Sequence, residues 1–182
     1  KIEPFEIAKA IGASVWKHSF IRDTFVRNRQ NFQKYQTSIR GDMSKLVVKR
    51  WLEDNNLKVT DWDDVRTSWR SQRKDFDLNV NEHALEVRSS KSSYDSIQDL
   101  LANEHIIHPC NVIVKEVTVQ VFFVDDYCSK FYLCGWAKKQ DLEDSSLRGV
   151  RRIGQRLQDF YLMPFSHNRA MPMSALPSYL TS

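Results

Sequence analysis

Apolar residues return at helical spacing through the first third of the chain. Phe5, Ile7, Ala8, Ile11, Val15 and Trp16 fall on one face and predict a first helix. A second covers Phe20 to Tyr35, with Phe25, Arg29 and Phe32 among its turns. Gly41-Asp42 then offers a helix start. Leu46, Val47, Val48, Trp51 and Leu52 form the apolar face of a third helix that ends near Asn55-Asn56. The period changes at residue 75. Asp-Phe-Asp-Leu-Asn-Val-Asn alternates strictly, with Phe76, Leu78 and Val80 pointing one way and Asp75, Asp77 and Asn79 the other. Asn81-Glu82-His83 reads as a turn and Ala84 to Ser89 as a second strand, which together predict a hairpin. A helix from Tyr94 to Glu104 follows, buried through Ile97, Leu100 and Leu101. Val112 to Val124 and Phe131 to Trp136 read as two further strands. Helices, hairpin, helix and strands in this order predict an α/β (α+β) sandwich with a mixed sheet.

Composition refines this picture only slightly. At 41% hydrophobic and 27% charged, the 182-residue chain is ordinary globular sequence, long enough for a full core. No repeat, low-complexity tract or Pro/Gly/Ser linker divides it. We therefore expect one domain over 1–182, with a helical N-terminal extension (1–40), a core (41–136) and a basic C-terminal segment (137–182). No apolar run approaches the ~20 residues of a membrane span, and no secretory signal is read ahead of the first helix. Cys110, Cys128 and Cys134 are odd in number and contain no CxxC pair. That argues against a disulfide framework and a four-ligand zinc site, and points to the reducing cytoplasm.

Charge placement says more than the net value of +4. Arg66, Arg70, Arg73 and Lys74 follow one another without an intervening acid, as do Arg148, Arg151, Arg152 and Arg156. Such clusters neutralise phosphates and steer nucleic acid, although each also reads as a solvated face. Trp62 and Trp69 interleave with the first cluster, either as core or as base-stacking platforms.

The hairpin carries the chemistry. Asp77 and Glu86 lie on its opposite arms. Paired strands are about 4.8 Å apart, so two carboxylates on one face can share a hard divalent ion. Magnesium prefers oxygen ligands, keeps several waters and uses one or two protein carboxylates. Such an ion can bind a phosphate oxygen and activate water. Arg88 follows Glu86 by two residues and shares its face, where it can stabilise developing charge. Asp75 competes with Asp77 on the same face, but Asp77 makes the tighter hairpin to Glu86.

Asp77, then a short turn, then Glu86-Val87-Arg88 resembles the PD-(D/E)XK nuclease superfamily, the class of many type II restriction endonucleases. The resemblance covers roughly residues 41–136, and the α-β-β-β-α-β order of that family fits the predicted elements. Phe131 to Ala137 with Lys138, Lys139, Asp141 and Leu142 looks like a segment of phage and bacterial nucleases of this superfamily. So does the ending Phe160-Tyr161-Leu162-Met163-Pro164 with Met173 and Leu176. The resemblance implies a restriction-endonuclease-like fold, a mixed central β-sheet flanked by helices. It implies a Mg²⁺-dependent DNA endonuclease (Mn²⁺ as the alternative ion) from a restriction or phage-related system. Asp77 and Glu86 would hold the metal, with Asp42 as an outer ligand. Arg88 or Lys91 would contact the scissile phosphate, and the two basic clusters the DNA backbone. DNA is expected ahead of RNA, and symmetric cutting of a duplex fits a homodimer.

The chain departs from the family pattern twice. Arg88 stands where the family has Lys, and a guanidinium cannot act as a general base; Lys91 is the nearby substitute. No Glu occurs between Arg40 and Leu52, which leaves Asp42 as the acid at the start of that helix. A second reading is therefore a DNA-binding module that keeps the nuclease fold without catalysis. A third is an unrelated protein with a polar hairpin. His105, His108 and Cys110 match no zinc pattern and read as a helix-end loop. Asp125-Asp126 reads as a polar turn, His83 as part of the exposed hairpin turn, and the serines around Lys91 as helix caps. No GxGxxG, phosphate-loop or GxSxG signature is present.

Overall fold

The computed structural model describes residues 11–12, 31–65, 76–126, 128–153 and 156–182. Of the helix predicted over Phe5 to Trp16 only Ile11 and Gly12 are described, as helix; the start of the one over Phe20 to Tyr35, and Trp69, Asp75 and the cluster Arg66, Arg70, Arg73 and Lys74 lie outside the described residues.

In chain order the elements are α1 (Asn31–Asp54), β1 (Thr60–Asp61), the helical turn α2 (Trp62–Val65), β2 (Leu78–Val80), β3 (His83–Lys91), α3 (Ile97–Asn103) and β4 (His105–Pro109). Then come β5 (Val117–Phe123), β6 (Phe131–Lys138), the turn α4 (Lys139–Leu142), β7 (Arg148–Ile153), β8 (Arg156–Pro164) and α5 (Leu176–Leu180).

The predicted hairpin forms, with Leu78 opposite Leu85 and Val80 opposite His83. Its reversal places both Asn81 (φ 47°) and Glu82 (φ 72°) in the left-handed region. That is the backbone of a two-residue type I′ turn, whose twist matches the strands it joins. β3 then pairs in parallel with β5, and β5 antiparallel with β6. The result is a mixed five-stranded sheet in the order β1-β2-β3-β5-β6. The parallel step from β3 to β5 requires a crossover, supplied here by α3 and β4. Setting aside the single turn α2 and strand β4, the elements α1, β1, β2, β3, α3 and β5 run α-β-β-β-α-β.

Alternation assigns the two faces of this sheet. Leu78, Val80, Leu85 and Val87 pack with Met43, Val48 and Leu52 of α1 and with Leu176 and Leu180 of α5. The opposite face carries Glu86, Arg88 and Ser90 from β3 and Thr118, Gln120 and Phe122 from β5. It is covered by a second, antiparallel sheet in the order β4-β8-β7. Phe122 packs there against Leu100, Ile107 and Phe160. Every residue of β5 is buried, as expected of a central strand covered on both sides. Gln120 stitches the two sheets together, its Oε1 accepting from the Ile107 amide at 3.1 Å.

Several boundaries differ from the sequence expectation. α1 does not start at Gly41-Asp42 but runs through it; Met43, Val47, Val48 and Leu52 are buried, and that packing outweighs the roughly 1 kcal/mol helix penalty of a glycine. β5 begins at Val117 rather than Val112, and Ile113 is 68% exposed. α3 starts at Ile97, where Ser96 caps it by accepting from the Asp99 amide at 3.1 Å. His105–Pro109 is a strand rather than a loop, and 137–182 holds the β7–β8 hairpin rather than a simple basic segment. Among the described residues, no helix is long and apolar enough to cross a membrane.

Candidate active site

Asp77 immediately precedes β2. Its amide donates to Leu85 O at 2.9 Å, and its carbonyl accepts from Trp62 N at 3.1 Å. Its carboxylate Oδ2 accepts from the Val87 amide at 2.8 Å. The side chain thus stands in for the backbone carbonyl that β3 would meet if β2 continued. This extends the ladder by one bond and holds Asp77, 9% exposed, at the level of Glu86.

Glu86 and Arg88 project from β3 toward the second sheet. Arg88 Nη2 lies 2.7 Å from Glu86 Oε1 and 3.0 Å from His108 Nε2. His108 reaches in from β4 with its side chain wholly buried, 3.7 Å from Glu86 Oε2. Its Nδ1 is 3.0 Å from Pro109 O. Since a guanidinium only donates, Nε2 accepts, and the ring hydrogen belongs on Nδ1, donated to Pro109 O. Burial pushes the Arg88 pKa down, with Glu86 pulling it back up; the group stays a cation. Two buried polar atoms lack a protein partner at this level, Arg88 Nε and Thr118 Oγ1. Thr118 is the register partner of Glu86 across the parallel pair, and Gln120 that of Arg88. Buried polar groups are rarely left unmatched. A bound water at each would satisfy it.

The carboxylates of Asp77 and Glu86 come one from each arm of the hairpin, with Asp77 Oδ2 bonded to the Val87 amide and Glu86 Oε1 to Arg88. Among the described residues no group of three or more His, Cys, Asp or Glu is placed to hold a metal ion; a magnesium ion using one or two protein carboxylates would draw its other ligands from water. Asp42 is placed elsewhere. It belongs to α1, which packs on the face bearing Leu85 and Val87, opposite to Glu86. Lys91 is corrected as a stand-in for the family's lysine. It ends β3 rather than starting a loop, alternates onto the face opposite to Arg88, and bonds Asp126 Oδ2 at 2.8 Å.

The second basic cluster is divided by strand alternation. Arg148, Val150 and Arg152 share one face of β7 and are exposed. Arg148 lies over the Tyr161 ring at 5.8 Å. Arg151 turns the other way, to Glu104 Oε2 at 3.7 Å. Arg156 opens β8 opposite Ile153. An apolar pocket of about 360 Å³ between Leu101, Cys134, Phe165 and Met171 shares no residue with the charged set. Burial pushes the Cys134 thiol there up to about 12, which makes it a poor nucleophile.

Sequence reasoning missed His108, Thr118 and Gln120. His-Ile-Ile-His-Pro does not alternate cleanly, because Ile106, Ile107 and His108 are all buried. The polar residues breaking the apolar run of β5 were the one visible signal, since Thr118 and Gln120 lie on the same face as each other. No family model, curated protein or solved structure matches the chain.

Proposed function

We propose that this chain is a Mg²⁺-dependent DNA endonuclease of the PD-(D/E)XK kind, with a restriction-endonuclease-like core. One observation carries the reading. Asp77, just before β2, is bonded to Leu85 and Val87, the neighbours of Glu86 on β3, and Arg88 follows Glu86 on the same face, within an α-β-β-β-α-β order. Asp77 and Glu86 are the residues that would hold the ion, which when bound would polarise a phosphodiester oxygen and activate water. Arg88 binds the scissile phosphate and balances the charge that builds on it; being a permanent cation, it takes no proton from the attacking water. The exposed Arg148 and Arg152 of β7 contact the DNA backbone. Cleavage of DNA in Mg²⁺ or Mn²⁺ that disappears with chelator, and in Glu86→Ala, tests this reading.

A second reading, a DNA-binding module without catalysis, is favoured by the contact between Arg88 and Glu86 at 2.7 Å. The guanidinium supplies from within the chain the positive charge an ion would bring. That reading requires DNA affinity unchanged by chelator and no cleavage in any metal.

A further inference from the structure

We infer that His108 is a positioning residue of this site: it orients the Arg88 guanidinium beside Glu86. The inference rests on the nuclease reading for what the oriented guanidinium does, and on the geometry alone for the orientation itself.

Arg88 is a long, largely buried side chain fixed from one end. Its Nε is buried without a protein partner. Its orientation is set from the Nη2 end, where one nitrogen meets Glu86 Oε1 at 2.7 Å and His108 Nε2 at 3.0 Å. An amino nitrogen of a guanidinium carries two hydrogens, so each acceptor takes one. With His108 in place, the second hydrogen of Nη2 is directed to β4. Without it, the planar guanidinium is at liberty to swing into the two-pronged pairing that arginine favours with a carboxylate. That pairing would compete with an ion for Glu86.

His108 is itself held on both sides. Nδ1 is anchored to Pro109 O at 3.0 Å, and the backbone is fixed by the β4–β8 ladder, with His108 opposite Tyr161. Its neighbours on that strand, Ile106 and Ile107, are buried and apolar. A Leu would fill the position by packing alone, whereas a buried imidazole carries a desolvation cost unless its nitrogens are engaged. Both are engaged, one to place the ring and the other to place Arg88.

The test uses the full chain. His108→Gln keeps an acceptor where Nε2 lies; His108→Asn and His108→Leu do not. For plasmid cleavage we expect His108→Gln to stay within about threefold of wild type in kcat. His108→Asn and His108→Leu should lose kcat about 10- to 100-fold with KM little changed, as for a lost contact to a charged, oriented group. Their half-saturating Mg²⁺ concentration should also rise. Equal losses in the Gln and Leu variants would overturn the proposal, because packing alone predicts that pattern. A second measurement is independent of cleavage: imidazole ¹⁵N NMR of metal-free protein, wild type beside Arg88→Met. An Nδ1-protonated His108 whose Nε2 resonance moves on removing the guanidinium supports the inference; an unmoved resonance overturns it. If wild type cuts no DNA in any metal, the nuclease reading falls, and the NMR comparison still decides the role of His108.

Discussion

Asp77 has a structural task in the hairpin and, in the proposed function, a second one at the metal, and substitution tells them apart. Its carboxylate accepts from the Val87 amide at 2.8 Å in a buried setting. Asp77→Ala leaves that amide unmatched and should destabilise the fold by about 1–3 kcal/mol. Asp77→Asn keeps an oxygen for the amide and should unfold in urea within about 0.5 kcal/mol of wild type. Both variants lose the charge and should lose cleavage alike. A cleaving Asp77→Asn would remove Asp77 from the proposed metal site. Lys45 gives a residue-scale expectation in pH. It is a buried residue of α1, bonded to Asp61 at 2.6 Å and also to Asp63. Burial disfavours its charge, but the two carboxylates outweigh burial and raise its pKa above the ordinary value. A group raised on folding stabilises fully below its unfolded pKa and loses that contribution as pH climbs through the folded value. Wild type should therefore lose urea resistance above about pH 10.5. In Lys45→Met that alkaline loss should be smaller, and the variant should be weaker near neutrality by about 3 kcal/mol because Asp61 and Asp63 are left facing each other.

At the scale of elements, the β2–β3 turn is built against local preference. Glu82 has φ 72°, where a side chain costs roughly 1–2 kcal/mol that glycine avoids. Glu82→Gly should raise stability by about 1 kcal/mol, a rise of roughly 2–4 °C in Tm by calorimetry, without touching the site. Legibility also divides by element. The hairpin could be read because one of its faces is apolar and the other polar, so period two survives in the sequence. The same alternation made Arg88 legible as a companion of Glu86. It also excludes Lys91, an odd number of residues from Glu86 along a strand that runs farther than its composition implied. β4 could not be read, because a strand buried on both sides shows no alternation; with it went His108. β7 read only as part of a basic segment because its glycine and arginines disguise a period that burial reveals. There Arg151 turns inward to Glu104 while Arg148 and Arg152 stay exposed. The break expected at Gly41 failed for the opposite reason: local propensity yields to a long buried helix face.

For the whole molecule, two sheets enclose the charged set, and α1 closes the far side of the larger one. The exposed arginines of β7 lie on the three-stranded sheet that carries His108, and Glu86 and Arg88 project toward that sheet from the five-stranded one. DNA affinity should fall with salt, and Arg148→Ala and Arg152→Ala should each reduce the slope of log K against log salt by about 1. Arg151→Ala should leave the slope nearly unchanged, because that charge is already paired with Glu104. Equal slopes for all three variants would show that this hairpin is not the DNA-facing surface. The central claim is that Asp77 and Glu86 form a metal-dependent hydrolytic site, and the most direct measurement is supercoiled plasmid cleavage in Mg²⁺, Mn²⁺ or EDTA, wild type beside Asp77→Asn and Glu86→Ala. Cutting by wild type that needs the metal and vanishes in both folded variants is the predicted result. Cutting that survives EDTA or either substitution, or an intact plasmid in every metal, would contradict it.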